Sequence, residues 1–168
     1  MSDFREVQPK DFEISPFHAI GSDWMLITAE KEGRVNTMTA SWGTMGVLWN
    51  KKVFSAVIRP QRHTYRFFEE NDYFTATVLV PGMEEAYRIC GTKSGRDCDK
   101  IALSGLTPYF EERAVTFEEA RIAVVCRKIY VQDLDPSGFL DEEIEKHYPL
   151  KDYHRLYCGE IVDILERK

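Results

Sequence analysis

Apolar positions along the chain fall into six runs with strand character. Residues 23–30 (D-W-M-L-I-T-A-E) are apolar on both alternating faces, the pattern of a strand covered on each side. Residues 31–34 (K-E-G-R) predict a turn and residues 35–40 a second strand, so the two make a hairpin. Residues 53–59 alternate and are rich in β-branched side chains, and Pro60 ends them. Residues 73–80 (Y-F-T-A-T-V-L-V) predict a fourth strand stopped by Pro81-Gly82, and residues 121–131 and 153–165 predict two longer ones. Residues 63–71 carry a helical pattern with Phe67 and Phe68 facing inward and Glu69 and Glu70 facing water. A helical turn or two over 83–90 puts Met83, Ala86, Tyr87 and Cys90 on one face.

Three stretches lack such a pattern. Residues 1–21 predict an extended lead-in with prolines at 9 and 16, and residues 41–50, with two glycines and two tryptophans, predict irregular chain. Residues 91–105 form a glycine- and charge-rich connection with room for a helix in its second half. Residues 133–151 are acidic and proline-containing, hence a surface segment. Long βα alternation is absent, which argues against a doubly wound parallel sheet. The pattern predicts a mainly β, antiparallel small barrel with two or three short helices inserted. A chain of 168 residues makes one such domain, 1–168, with a core that needs no staples.

Composition narrows the function classes. Acids outnumber bases 28 to 22, giving a formal charge of −6. No basic tail is present, so nucleic acid and anionic membrane surfaces are poor partners. Apolar runs such as 122–126 are far shorter than the roughly 20 residues of a membrane-spanning helix. The N-terminal ten residues carry charges and no apolar stretch, and Cys90, Cys98, Cys126 and Cys158 contain no C-x-x-C pair. The expectation is a cytoplasmic protein with four reduced thiols and no metal site.

Three segments carry candidate chemistry. In 36–43 (N-T-M-T-A-S-W-G) a strand ends in small hydroxyl residues followed by an aromatic, which lets a planar ligand approach the backbone; the same residues also suit an ordinary strand end with a core tryptophan. In 59–65 (R-P-Q-R-H-T-Y) two arginines precede a helix start, a seat for phosphate. The other reading has Thr64 capping that helix and the arginines pairing with Glu69, Glu70 or Asp72. In 91–96 (G-T-K-S-G-R) a loop holds cations and hydroxyls but matches neither the Walker A nor the G-x-G-x-x-G pattern. No H-E-x-x-H or G-x-S-x-G motif occurs.

The blocks N-T-M-T-A-S-W-G-T-M-G (36–46), V-I-R-P-Q-R-H-T-Y (57–65), C-G-T-K-S-G-R-D-C-D-K (90–100), G-L-T-P (105–108) and Y-C-G-E-I (157–161) together resemble the flavin reductase-like family of FMN-binding split barrels, especially its flavoredoxin-like branch. The resemblance covers residues 20–165. It implies a six-stranded antiparallel Greek-key split barrel with short helical insertions. It also implies a homodimer that binds FMN non-covalently near the subunit interface. Members either reduce flavin with NADH or NADPH or hold FMN for electron transfer, so the expected activity is an NAD(P)H:flavin oxidoreductase. A tightly FMN-loaded carrier serving a redox partner protein, or a split barrel holding another ligand such as haem, are the alternatives. By the same resemblance Thr39, Ala40, Ser41 and Trp42 lie along the isoalloxazine ring, and Arg59, Thr64 and Tyr65 hold the phosphate. Gly91, Thr92, Lys93 and Ser94 reach the ribityl chain and ring. Apart from the resemblance, a cation beside the ring would stabilise its anionic reduced state, and Lys93 is the candidate for that cation. No side chain is assigned a catalytic proton transfer, because the flavin carries the chemistry.

Overall fold

The computed structural model describes residues 3–168. Its strands in chain order are β1 (Phe4–Glu6), β2 (Met25–Lys31), β3 (Arg34–Ala40), β4 (Gly43–Leu48), β5 (Lys51–Ile58), β6 (Tyr73–Leu79), β7 (Pro108–Phe110), β8 (Val115–Phe117), β9 (Ala120–Asp133) and β10 (Arg155–Arg167). The helices are α1 (Pro16–Gly21), α2 (His63–Glu70), α3 (Glu84–Thr92) and α4 (Lys100–Leu103). All six predicted strands are present.

The main sheet runs β3-β2-β6-β9-β10-β5-β4, with β1 added to β10, and every pair is antiparallel. Strands β3 and β4 stand at opposite ends of this path, yet only Ser41 and Trp42 separate them in the chain. The sheet therefore curls until its two ends meet at that corner, and the barrel is closed there by chain continuity rather than by a ladder. Register shifts between Cys158 and Gly159, between Ile161 and Asp163, and between Val78 and Leu79 supply the local bends such curling needs.

The double-faced apolar pattern of β2 has a direct cause. Met25, Ile27 and Ala29 enter the barrel core with Phe54, Phe74 and Tyr157. Leu26 points the other way, into a second cluster with Tyr87, Cys90 and Phe117 beneath α3. Helix α2 closes one end of the barrel with Phe67 and Phe68, both buried as the pattern predicted. Each such side chain contributes about 2–3 kcal/mol of burial.

The structure departs from the predicted pattern in four places. Residues 41–50 are not irregular: β4 pairs with β5 through a tight turn in which Trp49 and Asn50 both have positive φ, 51° and 56°. The strand leaves no alternating signature because four of its six residues are exposed. The lead-in contains β1 and α1 rather than purely extended chain. Helix α3 continues to Thr92, so Gly91 and Thr92 end a helix instead of opening a loop, while α4 supplies the helix expected after them. The β7–β8 hairpin has strands of three residues each, too short for a periodic signal. Residues 133–151 are largely exposed, as expected, but Tyr148 within them is buried. Among the described residues no helix is long and apolar enough to cross a membrane, and the four cysteines form no disulfide.

Candidate functional site

The β3–β4 corner, the start of α2 and the end of α3 converge on one side of the barrel. Their convergence rests on close contacts. Thr39 Oγ1 on β3 donates to the Tyr87 carbonyl of α3 at 2.6 Å. Gly91 lets α3 approach further, since a Cβ there would stand 3.3 Å from Thr39 Cβ. Thr64 is fully buried; it accepts from Asn36 Nδ2 at 3.2 Å and donates to the Thr37 carbonyl at 3.4 Å, which ties α2 to β3.

Two adjoining cavities result. The smaller, of about 180 Å³, is lined by Thr39, Ala40, Ser41 and Trp42 together with Met38, Val57, Arg59, Arg62 and His154. The other, of about 530 Å³, is lined by Arg59, Thr64, Thr92, Lys93 and Ser94 together with Met38, Gln61, Arg62, His63, Arg96, Lys100 and Asp152. Met38, Arg59 and Arg62 border both, so the cavities form one elongated site. Nine of the eleven sequence-predicted residues meet here. The remaining two do not line it. Tyr65 turns toward the barrel, its ring 6.3 Å from Tyr157 and beneath the Arg155 guanidinium at 5.7 Å. Gly91 acts from behind, through its packing on Thr39 and a carbonyl that accepts from Arg62 at 3.1 Å.

The larger of these two cavities is strongly cationic. Helix α2 begins after Arg62 with no side-chain cap; the Tyr65 N–H donates to the Arg62 carbonyl at 3.0 Å, which leaves the N–H groups of His63 and Thr64, both lining the cavity, with no capping side chain. Thr64 does not cap it, and neither arginine pairs with Glu69, Glu70 or Asp72. Arg59 instead donates to Asp152 Oδ2 at 2.7 Å and to the His147 carbonyl at 2.8 Å, with its guanidinium 5.0 Å from the Tyr148 ring centroid. That pairing holds the Asp152 carboxyl below the usual carboxylate range. Asp152 Oδ1 is buried with no partner, a free acceptor on the cavity wall. Lys93 and Arg96 have no side-chain ion pair among the described residues. Lys100 is 4% exposed and donates only to the Cys90 and Lys93 carbonyls, at 3.3 and 3.4 Å. Burial pushes its pKa down, and no carboxylate offsets that.

The smaller cavity is walled by aromatics. The Trp42 ring centroid lies 5.1 Å from His147 and 5.3 Å from His154. His154 Nδ1 lies 2.7 Å from the Tyr148 hydroxyl. Burial, then the Arg59 charge, pushes the His154 pKa down to about 4, so the ring is neutral at pH 7. His147, Asp152 and His154 come from the acidic segment and the strand after it. The surface composition of 133–151 gave no reason to single out His147, and His154, in the strand predicted over 153–165, carries no local sign of a ligand-binding role. Arg62, Arg96 and Lys100 lay within the quoted blocks, but nothing local distinguished them from solvated cations.

A site with an aromatic, hydroxyl-rich compartment next to a donor-rich cationic one suits a ligand with a planar apolar end and an anionic end. Comparison with known proteins agrees. Residues 17–168 match the family described as flavin reductase like domain. A flavoredoxin from Methanosarcina acetivorans superposes with a TM-score of 0.67 at 21% identity, covering 86% of this chain and 68% of that one. An FMN-binding domain of a flavin reductases-like enzyme from Shewanella baltica gives 0.71 at 15% identity, covering 98% and 77%. An FMN-binding protein from Thermus thermophilus with bound 1-cyclohex-2-enone gives 0.67 at 22% identity, covering 96% and 80%. No curated protein matches the chain by sequence.

Proposed function

This chain belongs to the flavin reductase like domain family, and from that premise we propose that it is an oxidoreductase that binds FMN non-covalently and passes electrons from NAD(P)H, or from a redox partner protein, through it. The observation that carries this reading is the cluster of cations lacking carboxylate partners, Arg62, Lys93, Arg96 and Lys100, at an uncapped helix start in a protein of net charge −6. Such a cluster suits a phosphate dianion, and the adjoining compartment suits a tricyclic ring.

When bound, FMN supplies both one- and two-electron chemistry. The chain's own residues hold and tune it. The α2 N–H groups, Arg62, Lys93 and Arg96 take the phosphate end, with Arg59 locking the 133–152 segment beside it through Asp152. The unpartnered Asp152 Oδ1 accepts a ribityl hydroxyl. Trp42 and neutral His154 wall the ring, while Thr39, Ala40 and Ser41 present backbone and hydroxyl groups to its edge. Lys93, on the wall of the cationic compartment, lends its charge to the anionic ligand as a whole.

The whole chain acts as one flavin-binding domain. The exposed apolar patch of Val47, Leu48, Trp49, Tyr130 and Val131 supports a homodimer built on β4 and the end of β9. Four free thiols suit a reducing compartment such as the cytoplasm.

The test is the visible spectrum of freshly purified protein, with mass identification of any chromophore released by heat. About one FMN per chain supports a held prosthetic group. A colourless protein that turns yellow with FMN and consumes NADH or NADPH supports a reductase of free flavin. Failure to take up any flavin refutes the reading.

A further inference from the structure

The N-terminal end of α3, the start of β2 and the end of β6 enclose a further cavity, of about 620 Å³. It shares no lining residue with either compartment of the flavin site. Trp24 and Tyr87 form an aromatic corner in it, with ring centroids 6.4 Å apart and planes at 86°. Trp24 has a φ of 64°, left-handed backbone that a bulky residue rarely adopts, and yet the residue is 43% exposed. Core packing does not account for strain spent on presenting an indole to solvent; strain of this kind clusters at ligand clamps. No cation of the chain stands over either ring among the described residues, because the four guanidinium–ring contacts involve Tyr148, Phe67, Tyr65 and Phe4.

The polar groups of the cavity carry an excess of negative charge. Its lining holds two carboxylates, Asp23 and Glu84, against the single guanidinium of Arg121. Asp23 is occupied: Oδ2 accepts from Arg121 at 3.0 Å, and Oδ1 lies 3.2 Å from His18 Nε2. Glu84, in the first turn of α3, has no ion pair and no side-chain hydrogen bond among the described residues, whereas its neighbour Glu85 is bound to Arg88. The Tyr87 hydroxyl accepts from the Leu79 N–H at 2.8 Å. Burial pushes the Tyr87 pKa up to about 12, so the hydroxyl keeps its proton. No acceptor in the described chain takes that proton, which leaves the hydroxyl free to donate to a ligand.

We propose that this cavity binds a small methylated ammonium ion that carries an oxygen acceptor close to its nitrogen. The faces of Trp24 and Tyr87 present the negative lobes of their quadrupoles, which attract a cation. Met83 and Pro81 offer apolar contact to its methyl groups, and the unpaired Glu84 supplies the countercharge. The Tyr87 hydroxyl donates to its oxygen. Methylation matters because a bare ammonium is strongly hydrated and loses more on leaving water for an aromatic wall. An anion would meet Glu84 and Asp23 and find Arg121 already paired. A neutral apolar ligand would use the rings but not the charge. The site does not depend on the flavin reading, since no residue of it serves the flavin compartments.

Proton NMR titration with choline chloride at constant ionic strength tests this. The trimethyl resonance should move upfield, from the ring currents of Trp24 and Tyr87, and saturate in the millimolar range. The neutral isostere 3,3-dimethylbutan-1-ol should bind at least about tenfold more weakly, because it lacks the charge. Trp24→Leu should weaken choline by about tenfold and Glu84→Lys by about fivefold. Both positions are exposed, so the urea midpoint of each variant should stay at the wild-type value. The two variants remove different halves of the site, so misfolding of one leaves the other as the test. Equal binding of choline and its isostere would show a plain apolar cleft and overturn the proposal. So would a titration that does not saturate by about 50 mM, or folded variants that bind choline as the wild type does. Displacement of choline by FMN would place it in the flavin site and overturn the proposal as well.

Discussion

His154 makes the ring compartment sensitive to acid, and the size of the effect follows from its surroundings. The imidazole is 8% exposed, lies between Trp42 and Tyr148, and faces the Arg59 charge. Its pKa falls from 6.5 in the open chain to about 4 in the folded protein. Because the folded value is depressed, the unfolded chain binds more protons between these two limits. Stability from this group is therefore complete above pH 6.5, falls as the pH drops toward 4, and changes no further below that. The whole shift corresponds to about 3 kcal/mol, of which about 2 kcal/mol is lost between pH 7.5 and pH 5. His63 acts in the same direction, and several carboxylates held low by arginines add to the loss near pH 4 and below. A difference measurement removes both contributions. Urea unfolding of wild type and His154→Phe, each stripped of flavin so that ligand linkage does not enter, should give profiles that diverge with pH. The variant should lose about 2 kcal/mol less than the wild type between pH 7.5 and pH 5. Parallel profiles would show that His154 titrates normally in the folded protein and that its burial against Trp42 and Tyr148 is not as described.

Three other outcomes follow from named contacts. Arg62→Ala should weaken FMN binding by about tenfold and riboflavin binding hardly at all, because its role is with the phosphate; equal losses in parallel titrations would count against that seat. Gly159→Ala should destabilise the fold by about 2–3 kcal/mol in denaturant unfolding, since its Cβ would stand 2.7 Å from Cys126 Cβ and 2.8 Å from the Phe74 ring. Val47→Asp, on the exposed face of β4, should convert the proposed dimer to monomers in sedimentation. A wild type that already sediments as a monomer, or a variant that stays dimeric, would remove β4 from the interface.

Much of the barrel was legible in the chain because its signals are local. Alternation and β-branching in β5, the apolar run of β6 and the double-sided apolar run of β2 are signals that each strand carries wherever it sits. Strand β4 was not legible, since exposed side chains erase the alternation and its pairing is set by a two-residue turn at Trp49-Asn50. The compositional blocks brought nine of eleven predicted residues to one site, but could not rank the cations within it. Arg59 reads as the leading phosphate ligand in sequence. In the fold Asp152, far along the chain, takes much of its guanidinium, and Arg62, Lys93, Arg96 and Lys100 carry the unmatched charge instead. Nor does any local pattern mark His154, whose neutrality comes from burial against Trp42 and the charge of Arg59.

The sequence by itself determined which segments become strands and which blocks carry hydroxyls, aromatics and cations, because periodicity and composition act over a few neighbouring residues. Only the tertiary structure decided that β3 and β4 meet at Ser41-Trp42 to close the barrel, which arginine is spent on an internal ion pair, and that Lys100 is buried at the wall of the cationic cavity with only carbonyl partners. Those outcomes depend on desolvation and on partners distant in the chain, and neither exists until the sheet has curled.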